Sequence, residues 1–249
     1  MTTSAARKLL KFWGVKYIQA PETPAEPDQP TSVEASSPSC PQLSTGTGTK
    51  TQRLTELQKI ANGCEKCPLA RQRNHLVFGE GNPDAEIVFV GEAPGFDEDR
   101  QGRPFIGRAG QLLTDIITKG MGLSRDDVYI CNVLKCRPPN NRTPNPEEVV
   151  ACCPYLFEQL RIIGPKVIIA LGAPAAKTLL DTSESISRLR GHWQDFYLDG
   201  AASGETPIRL MPTFHPAYLL RNPSAKAVVW DDIKKVMAYL NIPIPEKRR

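Results

Sequence analysis

The sequence has no run of about 18 apolar residues, so nothing in it reads as a spanning helix. No phosphate-cradling glycine loop follows its first strand pattern, neither G-x-x-x-x-G-K-[S/T] nor G-x-G-x-x-G, which argues against a nucleotide-binding enzyme. Residues 1–20 lack both the apolar stretch and the small-residue cleavage site of a secretory signal, so a cytoplasmic protein is expected. Histidine is scarce, with three in 249 residues, so the setting of each one matters. A second C-x-x-C, the usual partner in a zinc ribbon, is missing. Seven cysteines are present, and in a reducing compartment they point to metal binding or reactivity rather than a disulfide framework. The net charge of +4 permits nucleic-acid binding without requiring it.

Composition changes along the chain. Residues 1–20 carry Arg7, Lys8, Lys11 and Lys16 with no acid, interleaved with Leu9, Leu10, Phe12 and Trp13. They read as a basic amphipathic segment able to bind a partner or DNA. Residues 21–50 hold six prolines and many Ser and Thr, too little apolar area to offset ordering, and read as a disordered linker. A folded domain is expected over 51–249.

Within that domain, strand patterns at 86–91 (EIVFVG), 128–133 (VYICNV), 166–171 (KVIIAL) and 208–211 alternate with helical patterns at 54–60, 107–119, 146–162, 175–180 and 225–240. Such alternation predicts an α/β fold, a mostly parallel central sheet covered by helices on both faces. Ligands of such sheets sit beyond the carboxyl ends of the strands. The unusual residues fall there: Gly91–Gly95, Asn132, and 213–216. Cys64 and Cys67 form a C-x-x-C, Cys136 follows the second strand, and Cys152 and Cys153 lie in the next helix. Thiolates at this density suggest a four-thiolate metal site without choosing the metal. On a helix, Cys152 and Cys153 point about 100° apart.

The run Gly91-Glu92-Ala93-Pro94-Gly95, continuing through Gly102-Arg103-Pro104-Phe105-Ile106-Gly107-Arg108-Ala109-Gly110, resembles family 4 uracil-DNA glycosylases, the iron–sulfur branch of that superfamily. Asn132 at its strand end, Lys135-Cys136-Arg137-Pro138-Pro139, and His215-Pro216-Ala217-Tyr218-Leu219-Leu220-Arg221 extend the resemblance over about residues 54–240.

The resemblance implies a three-layer αβα sandwich and hydrolysis of the deoxyuridine glycosidic bond, the first step of base-excision repair. It assigns Glu92 and His215 to catalysis, and Ala93, Phe105 and Asn132 to uracil. It assigns Leu219, Leu220 and Arg221 to DNA, and Cys64, Cys67, Cys136 and Cys152 to a [4Fe–4S] cluster. It favours Cys152 over Cys153. The partner expected is uracil-containing DNA, single- or double-stranded. A monomer is expected, of bacterial or archaeal type and nucleoid-associated.

An amide can accept from uracil N3–H and donate to O4, a pattern that cytosine reverses. Some other branches carry an acid where this chain has Ala93, so the water-activating group stays open between Glu92 and the nearby Asp97, Glu98 and Asp99. A related branch that bonds covalently to DNA carries an inserted basic segment with a His, and residues 96–110 have neither. An iron–sulfur module that binds uracil-DNA with little turnover is the alternative from another class.

Overall fold

A computed structural model of the chain describes residues 48–198 and 206–245. The basic segment 1–20 and nearly all of the linker 21–50 lie outside the described residues.

Six strands form one sheet in the order β1-β3-β2-β4-β6-β5. The inner four, β2 (Ile87–Gly91), β3 (Tyr129–Asn132), β4 (Val167–Leu171) and β6 (Ile208–Thr213), run parallel. β2 and β4 are buried at every position, as strands covered on both faces must be. Side chains alternate between faces. Val88 and Val90 join Leu57 of α1 (Lys50–Asn62) and Leu156 of α4 (Pro146–Ile163) in one core; Ile87 and Phe89 join Leu113 of α3 (Arg108–Asp115) and Ile233 of α8 (Ala225–Tyr239) in the other. Two cores on opposite faces make the three-layer sandwich that the strand and helix patterns predict.

The sequence patterns miss both edges. β1 (Glu80–Gly81) and β5 (Gln194–Phe196) pair antiparallel with β3 and β6. Strands of two and three residues are too short to show periodicity. The helix expected at 107–119 ends at Asp115, and a π-helical turn, Ile116–Gly120, continues it. Among the described residues no helix is long and apolar enough to cross a membrane.

α1 and α4 are each closed by a reciprocal cap, Thr49 with Gln52 and Asn145 with Glu148. Pro146 occupies the first helical position of α4, where its missing N–H breaks no bond. The carboxyl ends of β2, β3, β4 and β6 all face one edge of the molecule, and three of the loops leaving them build a cleft.

Candidate active site and cysteine cluster

The cleft has a volume of about 280 Å³ and is lined by Glu92, Ala93, Phe105, Asn132 and His215, with Pro94, Gly95, Glu98, Ala109, Pro138, Asn141, Arg142 and Ala217 around them. All five residues that the resemblance assigns to catalysis and uracil therefore meet in one place.

Asn132 ends β3, held in register opposite Gly91 of β2. It is 1% exposed, and its Oδ1 is the one buried side-chain oxygen or nitrogen among the described residues with no hydrogen-bond partner. Orphaned acceptors in buried positions are costly, by about 1–3 kcal/mol. One aimed into a cleft marks where a donor is to arrive. Gly91 is required beside it: a Cβ there would stand 2.3 Å from Asn132 Oδ1 and 2.5 Å from Phe105 Cζ.

Phe105 is 5% exposed and holds a left-handed backbone, φ 51°, which a bulky residue adopts only under outside constraint. The constraints are visible. Arg125 donates through Nη1 to Phe105 O (3.2 Å) and through Nη2 to Pro104 O (2.9 Å). Arg125 is itself held by Glu80 of β1, Nη2 to Oε1 at 2.6 Å. On the far side Glu98 Oε1 accepts from the backbone N–H groups of Ile106 (3.0 Å) and Gly107 (2.9 Å). The Phe105 ring lies 5.5 Å from that of His215.

His215 is the N-cap of α7 (Pro216–Arg221), and its Nδ1 accepts from the Ala217 backbone N–H at 3.1 Å. Burial, with a smaller contribution from the Arg221 charge, lowers its pKa from 6.5 to about 4. The ring is therefore neutral near pH 7. Because Nδ1 is an acceptor, the proton sits on Nε2, leaving a donor. Gly172, at φ 88°, lets the chain pass close: a Cβ on it would be 3.0 Å from the His215 Cβ.

Glu92 follows β2. Burial raises its pKa above the usual 4.5, and its carboxylate has no ion-pair or hydrogen-bond partner among the described residues. A carboxylate in a cleft without a cation is not a structural salt bridge. Two of the three neighbouring acids are otherwise engaged. Glu98 braces the Phe105 loop, and Asp99 is 1% exposed, accepting from Asn74 N at 3.0 Å and from Asn74 Nδ2.

The leucines on α7 divide. Leu219 is 1% exposed and packs in the core with Phe105 and Leu113, so the expectation that it wedges into DNA is corrected: a side chain enclosed on that helix face cannot reach a groove. Leu220 is 39% exposed, and Arg221 is exposed beside it. Lys135, beside Cys136 in the loop after β3, also points inward and is 1% exposed. Its Nζ donates to the Asn132 carbonyl (2.8 Å) and to Gln159 Oε1 (2.5 Å).

Cys64, Cys67, Cys136 and Cys152 line one hollow, together with Leu69, Leu134 and Tyr155. Cys153 is buried but does not face it. Burial pushes the thiols of Cys67 and Cys136 up, and that of Cys152 to about 12. Arg73 Nη1 donates to Cys136 Sγ (3.3 Å) and the Lys135 backbone N–H to Cys152 Sγ (3.2 Å). Among the described residues no group of three or more His, Cys, Asp or Glu closes as ligands of a single ion. Four thiols around one apolar hollow, with N–H donors to sulfur, are a donor set that suits an iron–sulfur cluster.

Sequence reasoning overlooked Arg125 and Glu80 and took Glu98 only as a candidate water activator, whereas all three hold the Phe105 loop. The glycines and prolines of 102–110 signal a loop needing such support, but not which residues give it.

Residues 78–234 match the uracil DNA glycosylase superfamily. A type-4 uracil-DNA glycosylase of Thermotoga maritima is 47% identical over 195 residues, 77% of this chain and 97% of the relative. Those of Sulfurisphaera tokodaii (44% over 190 residues, 74% of this chain and 83% of the relative) and Archaeoglobus fulgidus (43% over 189 residues, 74% and 92%) are similar in extent. The chain is a member of the type-4 uracil-DNA glycosylase family within that superfamily.

Proposed function

We propose that this protein hydrolyses the bond between deoxyribose and uracil in DNA, releasing uracil and leaving an abasic site. The unpartnered, buried Oδ1 of Asn132 carries this reading. Uracil extruded from the strand and stacked on Phe105 presents N3–H to that oxygen and O4 to the amide nitrogen. Cytosine offers an acceptor where N3–H is needed and a donor where O4 is needed, and the buried mismatch rejects it.

As the glycosidic bond breaks, its electrons pass to the uracil ring and charge grows on O2. The Nε2–H of neutral His215 donates there, a fixed donor placed where charge develops. Glu92 faces the sugar side, where its carboxylate offsets positive charge and orients the attacking water. Leu220 enters the space that the uracil vacates, and Arg221 reaches phosphate.

Cys64, Cys67, Cys136 and Cys152 would hold a [4Fe–4S] cluster. Hydrolysis consumes no electron, so the role such a cluster would fill is structural, tying together the elements that carry these four cysteines. The catalytic domain is 51–249, acting as a monomer; residues 1–20 serve a protein or DNA partner. Deleting residues 1–50 should leave excision from short oligonucleotides intact.

The test is uracil release from a uracil-containing oligonucleotide, scored by strand cleavage at the abasic product. Stoichiometric tight binding without turnover would replace the enzyme by a uracil-binding module.

A further inference from the structure

Phe96 opens α2 (Phe96–Gln101), directly after the Gly95 that lines the cleft. It is 51% exposed, while the apolar residues around the neighbouring strands are buried. Two guanidinium groups lie against its ring. Arg100, one turn on, is 5.6 Å from the centroid, and Arg137, from the loop after β3, is 5.1 Å away. The Phe96–Arg137 contact thus bridges two of the strand-end loops at the cleft rim, since Pro138, next to Arg137, also lines the cleft.

Arg137 is steadied by donation from Nε to Asn141 Oδ1 at 2.7 Å. Neither Arg100 nor Arg137 is ion-paired with a carboxylate among the described residues. Asp99, next to Arg100, has its carboxylate occupied by Asn74, and Asp97, next to Phe96, lies toward Gly107, with its Oδ2 2.8 Å from where a Cβ on that glycine would stand. The Phe96 ring belongs to neither hydrophobic core of the described residues. Uncompensated guanidinium groups beside it call for an anionic partner with a flat apolar face, and a nucleotide has both.

We propose that Phe96, with Arg100 and Arg137, is a stacking platform for the base adjacent to the extruded uracil in single-stranded DNA, the two arginines holding the phosphates on either side. This rests on the cleft being the uracil site, because it places the neighbouring nucleotide at the rim. In a duplex that base is already stacked and paired, and leaving its partners offsets what the ring offers. The platform therefore favours unpaired strands.

The experiment measures binding by fluorescence anisotropy and excision kinetics on single-stranded oligonucleotides holding one uracil. Wild type is compared with Phe96→Ala, Phe96→Trp and Arg100→Ala. Because half of the Phe96 residue is solvent-exposed, the Ala variant keeps the fold. Phe96→Ala should raise Kd and KM about tenfold at the modest end of base–aromatic stacking, with kcat held, and Phe96→Trp should restore both. Replacing the nucleotide on one side of the uracil, but not on the other, by an abasic spacer should weaken wild type about as much as Phe96→Ala does and leave Phe96→Ala indifferent. Arg100→Ala should flatten the dependence of log K on log salt by about 0.7.

Unchanged Kd in Phe96→Ala would overturn the proposal. So would a fall in kcat with KM fixed, which would mean that Phe96 only shapes the Glu92 loop, or an equal loss on duplex DNA. If wild type binds but does not turn over, the glycosylase reading fails, while the anisotropy series still decides the platform.

Discussion

The cleft and the cysteine hollow sit on either side of one loop, and they treat polar atoms in opposite ways. The cleft leaves groups unsatisfied: Asn132 Oδ1 has no partner, and Glu92 has no cation. The hollow takes sulfur, the least polar of donors, buries it, and gives two of its atoms N–H donors from Arg73 and Lys135. A site that must take and release a ligand keeps its polar groups waiting. A site whose ligand is part of the fold is closed around it. Lys135 joins the two, its backbone N–H on Cys152 and its Nζ on the carbonyl of Asn132.

The largest effects should come from the cleft, and chiefly on rate. Asn132→Ala and His215→Ala should each lower kcat/KM by about 10²–10³, the usual result of removing one preorganised donor or acceptor. The Asn132 variant should lose little stability, since the atom removed is already unpaired. Steady-state excision beside thermal melts checks both. A large drop in Tm with activity retained at low temperature would make the amide structural and erase the contrast.

In the hollow the order reverses. Cys152→Ala should abolish iron and sulfide content, bleach visible absorbance and lower Tm by about 5–10 °C, because a site assembled only in the folded state contributes folding free energy. Cys153→Ala, away from the hollow, should keep colour. A coloured Cys152→Ala with a colourless Cys153→Ala would exchange the two residues. Lys135→Met is the test between the regions. It strips the buried Asn132 carbonyl and Gln159 Oε1 of their donor and should cost about 2–4 kcal/mol in denaturant unfolding. It should also raise KM for uracil-DNA by loosening Asn132.

Much of this contrast can be read from the residues themselves. β2 and β4 show as continuous apolar runs, and Glu92, Ala93, Asn132 and His215 fall among the odd residues at strand ends, while Phe105, in the 102–110 loop, is reached through the resemblance. What stays hidden is support. Glu80 lies in a two-residue strand with no pattern of its own, yet through Arg125 it fixes the backbone of Phe105. Glu98 and Asp99 stand in a charged run that reads as solvated, yet both have their carboxylates occupied by backbone N–H groups. Leu219 and Leu220 are identical in type and adjacent, and only the packing of α7 buries one and exposes the other. Long-range partnership of this kind leaves no period in a sequence.

The smallest effect, and the one that best separates the two catalytic groups, lies in pH. Burial raises the Glu92 pKa above 4.5, so its carboxylate takes up a proton earlier than an ordinary Glu as pH falls. kcat/KM should then drop on the acid side, at about tenfold per pH unit below that raised value. His215 should not contribute a limb near 6.5. Its pKa is about 4, and protonating Nδ1 would set an N–H against the Ala217 N–H already pointing at it. Its effect on stability has the opposite window from a salt-bridged His. The unfolded ring takes a proton at 6.5 and the folded one near 4, so stability is full above 6.5 and declines as pH falls to about 4. Glu92→Gln should lower the rate and remove the acid limb. His215→Ala should lower the rate and leave the limb in place. A limb that persists in Glu92→Gln but vanishes in His215→Ala would exchange the roles of carboxylate and imidazole.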